Sequence, residues 1–221
     1  MGIHRTSSSK LKTPNLKGKR ILITAGPTWV SIDRVRVISN IATGRTGIML
    51  AKKCAALGSR VTLLLGPVGD CTMPRSVKLI RFTFFDDLKE KIEQELALGR
   101  YDIIIHSAAV ADFKPTHVYR GKIDSGRQLC VRLAPLPKII EGIRNSCPES
   151  ILVMFKLEPE VSDASLIRRA RGAQEKVGAD YCVANRLCPY RAFIIDSEGN
   201  RVVAKNKYDM VRKLCTILNL N

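Results

Sequence analysis

Aromatic residues, histidine and acidic residues are all scarce in this 221-residue chain, and each shortage narrows its possible functions. Aromatic positions make up 5% of the sequence and no nucleic-acid module is recognisable, which weighs against a nucleic-acid-binding protein. The three histidines, His4, His106 and His117, are too few and too scattered for a metal centre, and no metal ligand is assigned. His106 ends an apolar run and reads as a hydrogen-bonded core residue. No apolar stretch reaches the roughly 18 residues that span a bilayer. The dinucleotide fingerprint G-x-G-x-x-G is missing, as is an obvious Tyr–Lys catalytic pair. Both absences weigh against an NAD(P)-binding Rossmann-type oxidoreductase. Seven cysteines are present, none at a zinc-type or redox-type spacing. The start, MGIHRTSSSKLKTPNLKGKR, lacks the apolar core of a secretory signal. Reduced thiols in a cytoplasmic protein are therefore expected.

What is abundant is positive charge. Thirty-seven Lys and Arg against twenty Asp and Glu leave a formal charge of +17. Such a field attracts polyanions: nucleic acid, an anionic membrane or phosphorylated small molecules. Charge does not choose among them, although the basic cluster Arg168, Arg169 and Arg171 keeps the nucleic-acid alternative in view. With 45% apolar positions, the length suits one packed domain. Residues 1–17 are expected to form a flexible basic arm. Gly2 and Thr6 within it fit the loose myristoylation pattern. Residues 18–221 are expected to form a single domain.

From Arg20 onward, short apolar runs alternate with helix-like segments. RILITA (20–25), RVTLLLG (60–66), VKLIRF (77–82), YDIIIHSAAVA (101–111), LCVRL (129–133), ILVMF (151–155) and DYCVAN (180–185) read as strands. Helices are expected over 44–57, over 86–98 with Asp86 or Asp87 as cap and Gly99 as stop, and over 137–144. Two more follow, from Ser162 or Asp163 to about 176 and over 207–218. RAFIID and RVVA flank Gly199-Asn200 and predict a hairpin. This rhythm predicts a three-layer α/β/α fold, a Rossmann-like, mainly parallel sheet with a small antiparallel hairpin. Ligands in such folds bind beyond the carboxyl ends of the strands, at the switch point.

The loop after the first strand, GPTWVSIDRVRVISNIATGRTG (26–47), ends with Gly44 and Gly47 at a helix start. Glycines there let backbone N–H groups approach phosphate oxygens, with Arg36 and Arg45 supplying charge. An ordinary turn capped by Thr43 explains the same pattern. After the strongest apolar run comes SAAVADFKPTHVYRGKIDSG (107–126). Its alanines permit close approach of a ligand, Asp112 offers acceptors, and Lys122 stands on a polar segment that could act as a flap or be merely solvated.

Together these segments carry a resemblance. GPTWVSIDRVRVISNIATGRTG, AAVADFKP, Gly121-Lys122-Ile123 and Pro137-Lys138-Ile139-Ile140 recur in this order and spacing in phosphopantothenoylcysteine synthetase, the phosphopantothenate–cysteine ligase. The resemblance covers residues 18–220. That enzyme often forms the C-terminal half of a bifunctional flavoprotein, and the flavin-dependent decarboxylase half has no counterpart here, so no flavin is expected. The resemblance implies that a nucleoside triphosphate with Mg²⁺, CTP or alternatively ATP, activates the carboxylate of 4′-phosphopantothenate. The amine of cysteine then attacks the acyl-nucleotidylate. It further implies a homodimer and, as a separate partner, a phosphopantothenoylcysteine decarboxylase. No membrane is implied.

Residue by residue, the resemblance implies that Asn40 contacts the acyl group and that Lys122 acts on the acyl-nucleotidylate from a flap. Gly44 and Gly47 match the phosphate-loop glycines. Ala108, Ala109 and Asp112 match the strand-end segment that contacts nucleotide or phosphopantothenate. Pro137, Lys138, Ile139, Ile140 and Phe155 match positions enclosing the nucleotide, Arg169 and Lys176 its phosphate contacts, and Arg36 a residue that organises the loop. The chain departs from its relatives at Trp29, Ala42, Arg45, Thr46 and Asp124.

Overall fold

The computed structural model describes residues 16–126 and 128–220. The elements run β1 (Arg20–Ala25), β2 (Trp29–Ser31), β3 (Val37–Ser39), α1 (Arg45–Ala56), β4 (Arg60–Leu65), β5 (Val77–Arg81), α2 (Phe85–Ala97) and β6 (Ile103–His106). They continue with β7 (Phe113–Pro115), β8 (Leu133–Pro135), α3 (Ile139–Ser146), β9 (Ile151–Leu157), α4 (Asp163–Val177), β10 (Tyr181–Arg186), β11 (Arg191–Asp196), β12 (Arg201–Ala204) and α5 (Lys207–Leu220). Eight strands form one sheet in the order β5-β4-β1-β6-β9-β10-β11-β12. All neighbours are parallel up to β10, after which β11 and β12 add antiparallel.

The central strands carry apolar residues in both directions because helices cover both faces. Ile21 and Ile23 of β1 face α1 and α5, packing with Leu50, Cys54, Val211 and Leu214. Leu22 faces the other way, toward Leu88 and Ile92 of α2, Ile143 of α3 and Leu166 of α4. Each such buried side chain contributes about 1.5–3 kcal/mol. The sheet therefore forms the middle of three layers, as the alternating pattern predicts. Strand order reverses between β1 and β6, which opens the crevice at their carboxyl ends.

Several local expectations are corrected. Leu16 is buried, its N–H donates to Asn219 Oδ1 at 2.6 Å and its carbonyl accepts from the Ser59 hydroxyl at 2.9 Å. The end of the expected arm therefore belongs to the packed domain, and residues 1–15, with Gly2 and Thr6, lie outside the described residues. Neither Asp86 nor Asp87 caps α2. The helix begins at Phe85 after Phe84, and Asp87 reaches back to the Thr83 N–H at 2.7 Å; the expected stop holds, with Leu98 as the C-terminal cap and Gly99 next to it at φ 144°. The apolar run 101–111 ladders with β1 and β9 only through His106, because the chain then turns to bind the backbone after β1. Only Leu133–Pro135 of the segment around 129–135 is a strand, and it pairs with Phe113–Pro115 outside the main sheet. The loop after β1 contains a hairpin, β2–β3, that the periodicity does not announce.

Candidate functional site

The switch-point crevice is stitched together by backbone. The Ser107 N–H donates to the Thr24 carbonyl at 3.1 Å and the Ala109 N–H to the Gly26 carbonyl at 2.8 Å. Two buried threonines add side-chain links: Thr24 Oγ1 accepts from the Ala108 N–H at 3.2 Å, and Thr28 Oγ1 from the Ala111 N–H at 2.9 Å. The chain after β1 and the chain after β6 thus leave the sheet side by side. Thr24 also lies 2.9 Å from His106 Nδ1. Burial pulls the His106 imidazole down to about 4, so it is neutral at pH 7.

One wall is the start of α1. Gly44 adopts φ 65°, which β-carbon-bearing residues rarely reach, and no side chain caps the helix, Thr43 included. The first turn holds no acidic residue, so the helix dipole and free N–H groups present uncompensated positive charge. Gly47 is buried, and a Cβ there would stand 2.4 Å from Ala25 Cβ and 2.8 Å from Ser107 Oγ. Its absent side chain lets α1 approach the crevice. Arg45 is exposed, and its guanidinium donates to Tyr208 of α5 at 2.9 Å and lies over that ring.

Across the crevice stands Asn40, just after β3. Its Nδ2 donates to the carbonyls of Ala109 at 3.2 Å and Val110 at 3.0 Å. Two acceptors facing the same group fix the amide's orientation. The resemblance implies an amide contacting the acyl group; here both amide protons already have backbone acceptors, and Oδ1 has no partner among the described residues.

Asp112 continues the strand-end segment. Its carboxylate pairs with Lys138, the residue before α3, while its carbonyl accepts from the Leu136 N–H at 2.8 Å. Asp112 thereby joins the Pro137–Ile140 segment to the crevice. Ile139 and Ile140 lie on the α2–α4 side of the sheet and the half-buried Phe155 on the α1–α5 side, so these positions do not form one wall. Arg169 pairs with Glu158 at 2.8 Å. Lys176, in the last turn of α4, pairs at 3.3 Å with Glu141 in the first turn of α3.

The flap around Lys122 is held at its base. The Tyr119 N–H donates to the Ile32 carbonyl at 3.0 Å. Next to Lys122, the Ile123 N–H donates to Asp33 Oδ2 at 3.0 Å, and Arg36 Nη1 donates to the Ile123 carbonyl at 3.0 Å. Arg36 also meets Asp33 at 2.6 Å. The Ile123 N–H bond, with those of Val35 and Arg36, holds the buried Asp33 carboxyl well below the usual carboxylate range, against burial that pushes the other way. Lys122 itself is exposed and has no ion-pair partner among the described residues.

The structure therefore brings Asn40, Ala108, Ala109, Asp112, Gly44, Gly47 and Lys138 to one crevice and ties the Lys122 flap to the β2–β3 hairpin through Arg36. Asp33, Thr24, Thr28 and Tyr208 are additional site-building residues. Asp33 had a local signal, an Asp three residues before Arg36 in a turn; the threonines and Tyr208 had none, because their partners are distant in sequence.

The chain matches the DNA/pantothenate metabolism flavoprotein C-terminal domain family over residues 16–215. It is 37% identical over 206 residues to the coenzyme A biosynthesis bifunctional protein CoaBC of Thermococcus kodakarensis, covering 93% of this chain and 49% of that protein. It spans about half the length of such relatives. A solved C-terminal domain of a CoaBC protein superposes with a TM-score of 0.78 at 25% identity, over 92% of this chain and 95% of that one. The DNA/pantothenate metabolism flavoprotein from Streptococcus pneumoniae superposes with a TM-score of 0.82 at 24% identity, over 91% and 98%, and bears on the fold. Sequence, topology and crevice agree: this chain belongs to the DNA/pantothenate metabolism flavoprotein C-terminal domain family.

Proposed function

We propose that this chain is the phosphopantothenate–cysteine ligase of coenzyme A biosynthesis. A nucleoside triphosphate, CTP by preference, activates the 4′-phosphopantothenate carboxylate, and the cysteine amine attacks the resulting acyl-nucleotidylate. The products are 4′-phosphopantothenoylcysteine, CMP and pyrophosphate. The observation that carries this reading is the meeting of Asn40, the 108–112 strand end and the uncapped start of α1 at the switch point of a chain from this family.

The chemistry asks the protein for placement and charge. A carboxylate resists nucleophiles because its oxygen leaves poorly, whereas a nucleotide phosphate leaves readily. The carboxylate oxygen attacks the α-phosphorus and pyrophosphate departs. The amine then attacks the acyl carbon, loses a proton, and expels CMP. Holding both anionic substrates in line replaces a bimolecular encounter. The α1 N–H groups and Arg45 suit a phosphate group, and Asn40 lies where it can orient the acyl group. Lys122 brings an ammonium to the anionic intermediates, which stabilises charge developing as the amide forms. Mg²⁺ enters as part of the nucleotide substrate. Among the described residues no group of three or more His, Cys, Asp or Glu is arranged as a metal site.

A second copy of the chain is proposed to cover the β2–β3 and β7–β8 ribbons. They expose Val35, Val37, Ile41, Phe113 and Leu133 around the crevice, an apolar surface that suits a homodimer. Light scattering of the purified chain tests this, with a dimer mass expected. A phosphopantothenoylcysteine decarboxylase is proposed to take up the product; the name of the Thermococcus protein describes it as bifunctional. No helix among the described residues is long and apolar enough to cross a membrane, and the cytoplasm is the proposed location.

The test is direct. Purified chain given phosphopantothenate, cysteine, Mg²⁺ and either CTP or ATP is expected to yield the amide, with CTP the better substrate.

A further inference from the structure

Resting on the ligase reading, we propose that Asp33 is the positioning residue of the Lys122 flap. Its carboxylate, shared with Arg36, grips the backbone on both sides of Ile123 and thereby sets where the neighbouring Lys122 stands.

The argument begins with how the two carboxylate oxygens are used. Oδ1 accepts from the Val35 N–H at 2.7 Å and the Arg36 N–H at 2.6 Å, the pattern by which Asp stabilises its own turn. Turn formation needs nothing more. Oδ2 nevertheless accepts from Arg36 Nη1 at 2.6 Å and from the Ile123 N–H at 3.0 Å, a residue ninety positions away. The same Nη1 then donates to the Ile123 carbonyl at 3.0 Å. The peptide that joins Lys122 to Ile123 is therefore bonded directly to Asp33, and the following peptide to Arg36.

Both partners are firm. Asp33 is 3% exposed, and bonds to an ionised, desolvated carboxylate are roughly twice as strong as neutral ones. Little else orders the flap: Gly121, Lys122, Asp124, Ser125 and Gly126 are all exposed, and Ile123 alone is half-buried. The clamp thus turns an otherwise solvated lysine into one with a fixed base. Because Lys122 is proposed to act as the nucleotidylate becomes amide, a loosened base penalises that half-reaction and leaves nucleotide capture largely intact.

Two variants of the full chain test this. Asp33→Asn retains Oδ1 for the turn and replaces Oδ2 with a group that cannot accept from Ile123. Ile123→Pro removes the donated N–H while leaving Asp33 and its turn untouched, and it decides the matter if Asp33→Asn fails to fold. Hydrogen exchange across residues 119–126 and single-turnover rates of pyrophosphate release and of amide formation are compared with the unaltered chain. Exchange in the flap is expected to rise about tenfold. Amide formation is expected to fall about 100-fold, with the KM for nucleotide unchanged. Unaltered flap exchange, or equal losses in both half-reactions, would overturn the proposal. If the unaltered chain forms no nucleotidylate with any triphosphate, the ligase reading falls, and flap exchange alone then decides the clamp.

Discussion

Asn40 Nδ2 lies 3.0 Å from the Val110 carbonyl, so the segment after β3 is tied to the segment after β6 across the mouth of the crevice. The bond ties a loop residue to the strand end where the switch point places a ligand. An aspartate at this position would turn an oxygen toward the carbonyls of Ala109 and Val110. Asn40→Asp is therefore expected to open the mouth and lower amide formation by about 100-fold or more. Because Asn40 is exposed, the thermal midpoint should move by only a few degrees. Product quantification beside calorimetry checks both halves, and unaltered turnover would remove Asn40 from the site.

Lys122→Gln keeps the length of the side chain and removes its charge. Pyrophosphate release is expected to persist while amide formation drops by about 100- to 1,000-fold. Rapid quenching with mass spectrometry should then reveal accumulated acyl-nucleotidylate. Equal loss of both half-reactions would assign Lys122 to substrate capture instead.

Gly47→Ala places a methyl group 2.4 Å from Ala25 Cβ, closer than non-bonded carbons approach. The start of α1 must shift away from β1. A destabilisation of about 1–3 kcal/mol is expected, together with a higher KM for the phosphorylated substrates. Chemical denaturation and initial-rate kinetics measure the two effects, and a KM unchanged despite lost stability would separate the α1 start from phosphate binding.

The overall architecture was legible because β1, β4, β6 and β9 are apolar on both faces, the pattern of strands in a doubly covered sheet, and alternate with helix-like segments. Gly44 and Gly47 were legible because their lack of a side chain is their contribution. The β2–β3 hairpin was not, since its three-residue strands are too short for a period to show and are held by partners elsewhere. The strand expected over 101–111 stops at His106 because tertiary pairing with Gly26 and Thr28 overrides local apolar preference. Asp33 was legible only as a turn residue, since its bonds to Val35 and Arg36 are local while the one that reaches the flap runs to Ile123, ninety positions along the chain. Thr43 as cap failed because the glycine after it occupies the capping position itself.

Protonation of His106 gives a pH dependence of stability. Burial pulls its folded-state value down to about 4, below an ordinary 6.5. The unfolded chain therefore binds the extra proton first as pH falls. The neutral ring's contribution is complete above pH 6.5 and declines as pH drops from 6.5 toward 4. The total loss is on the order of 3 kcal/mol. Replacing His106 with Gln, which keeps an acceptor or donor for Thr24, should flatten this slope in urea midpoints measured between pH 7 and 4. An unchanged slope would place the proton elsewhere.

The most direct measurement of the central claim is product identification by mass spectrometry. The purified chain is supplied with 4′-phosphopantothenate, cysteine, Mg²⁺ and each nucleoside triphosphate in turn. Stoichiometric 4′-phosphopantothenoylcysteine, CMP and pyrophosphate with CTP is the expected result. Absence of the amide with every triphosphate, from protein whose fold is verified by circular dichroism, would contradict the account.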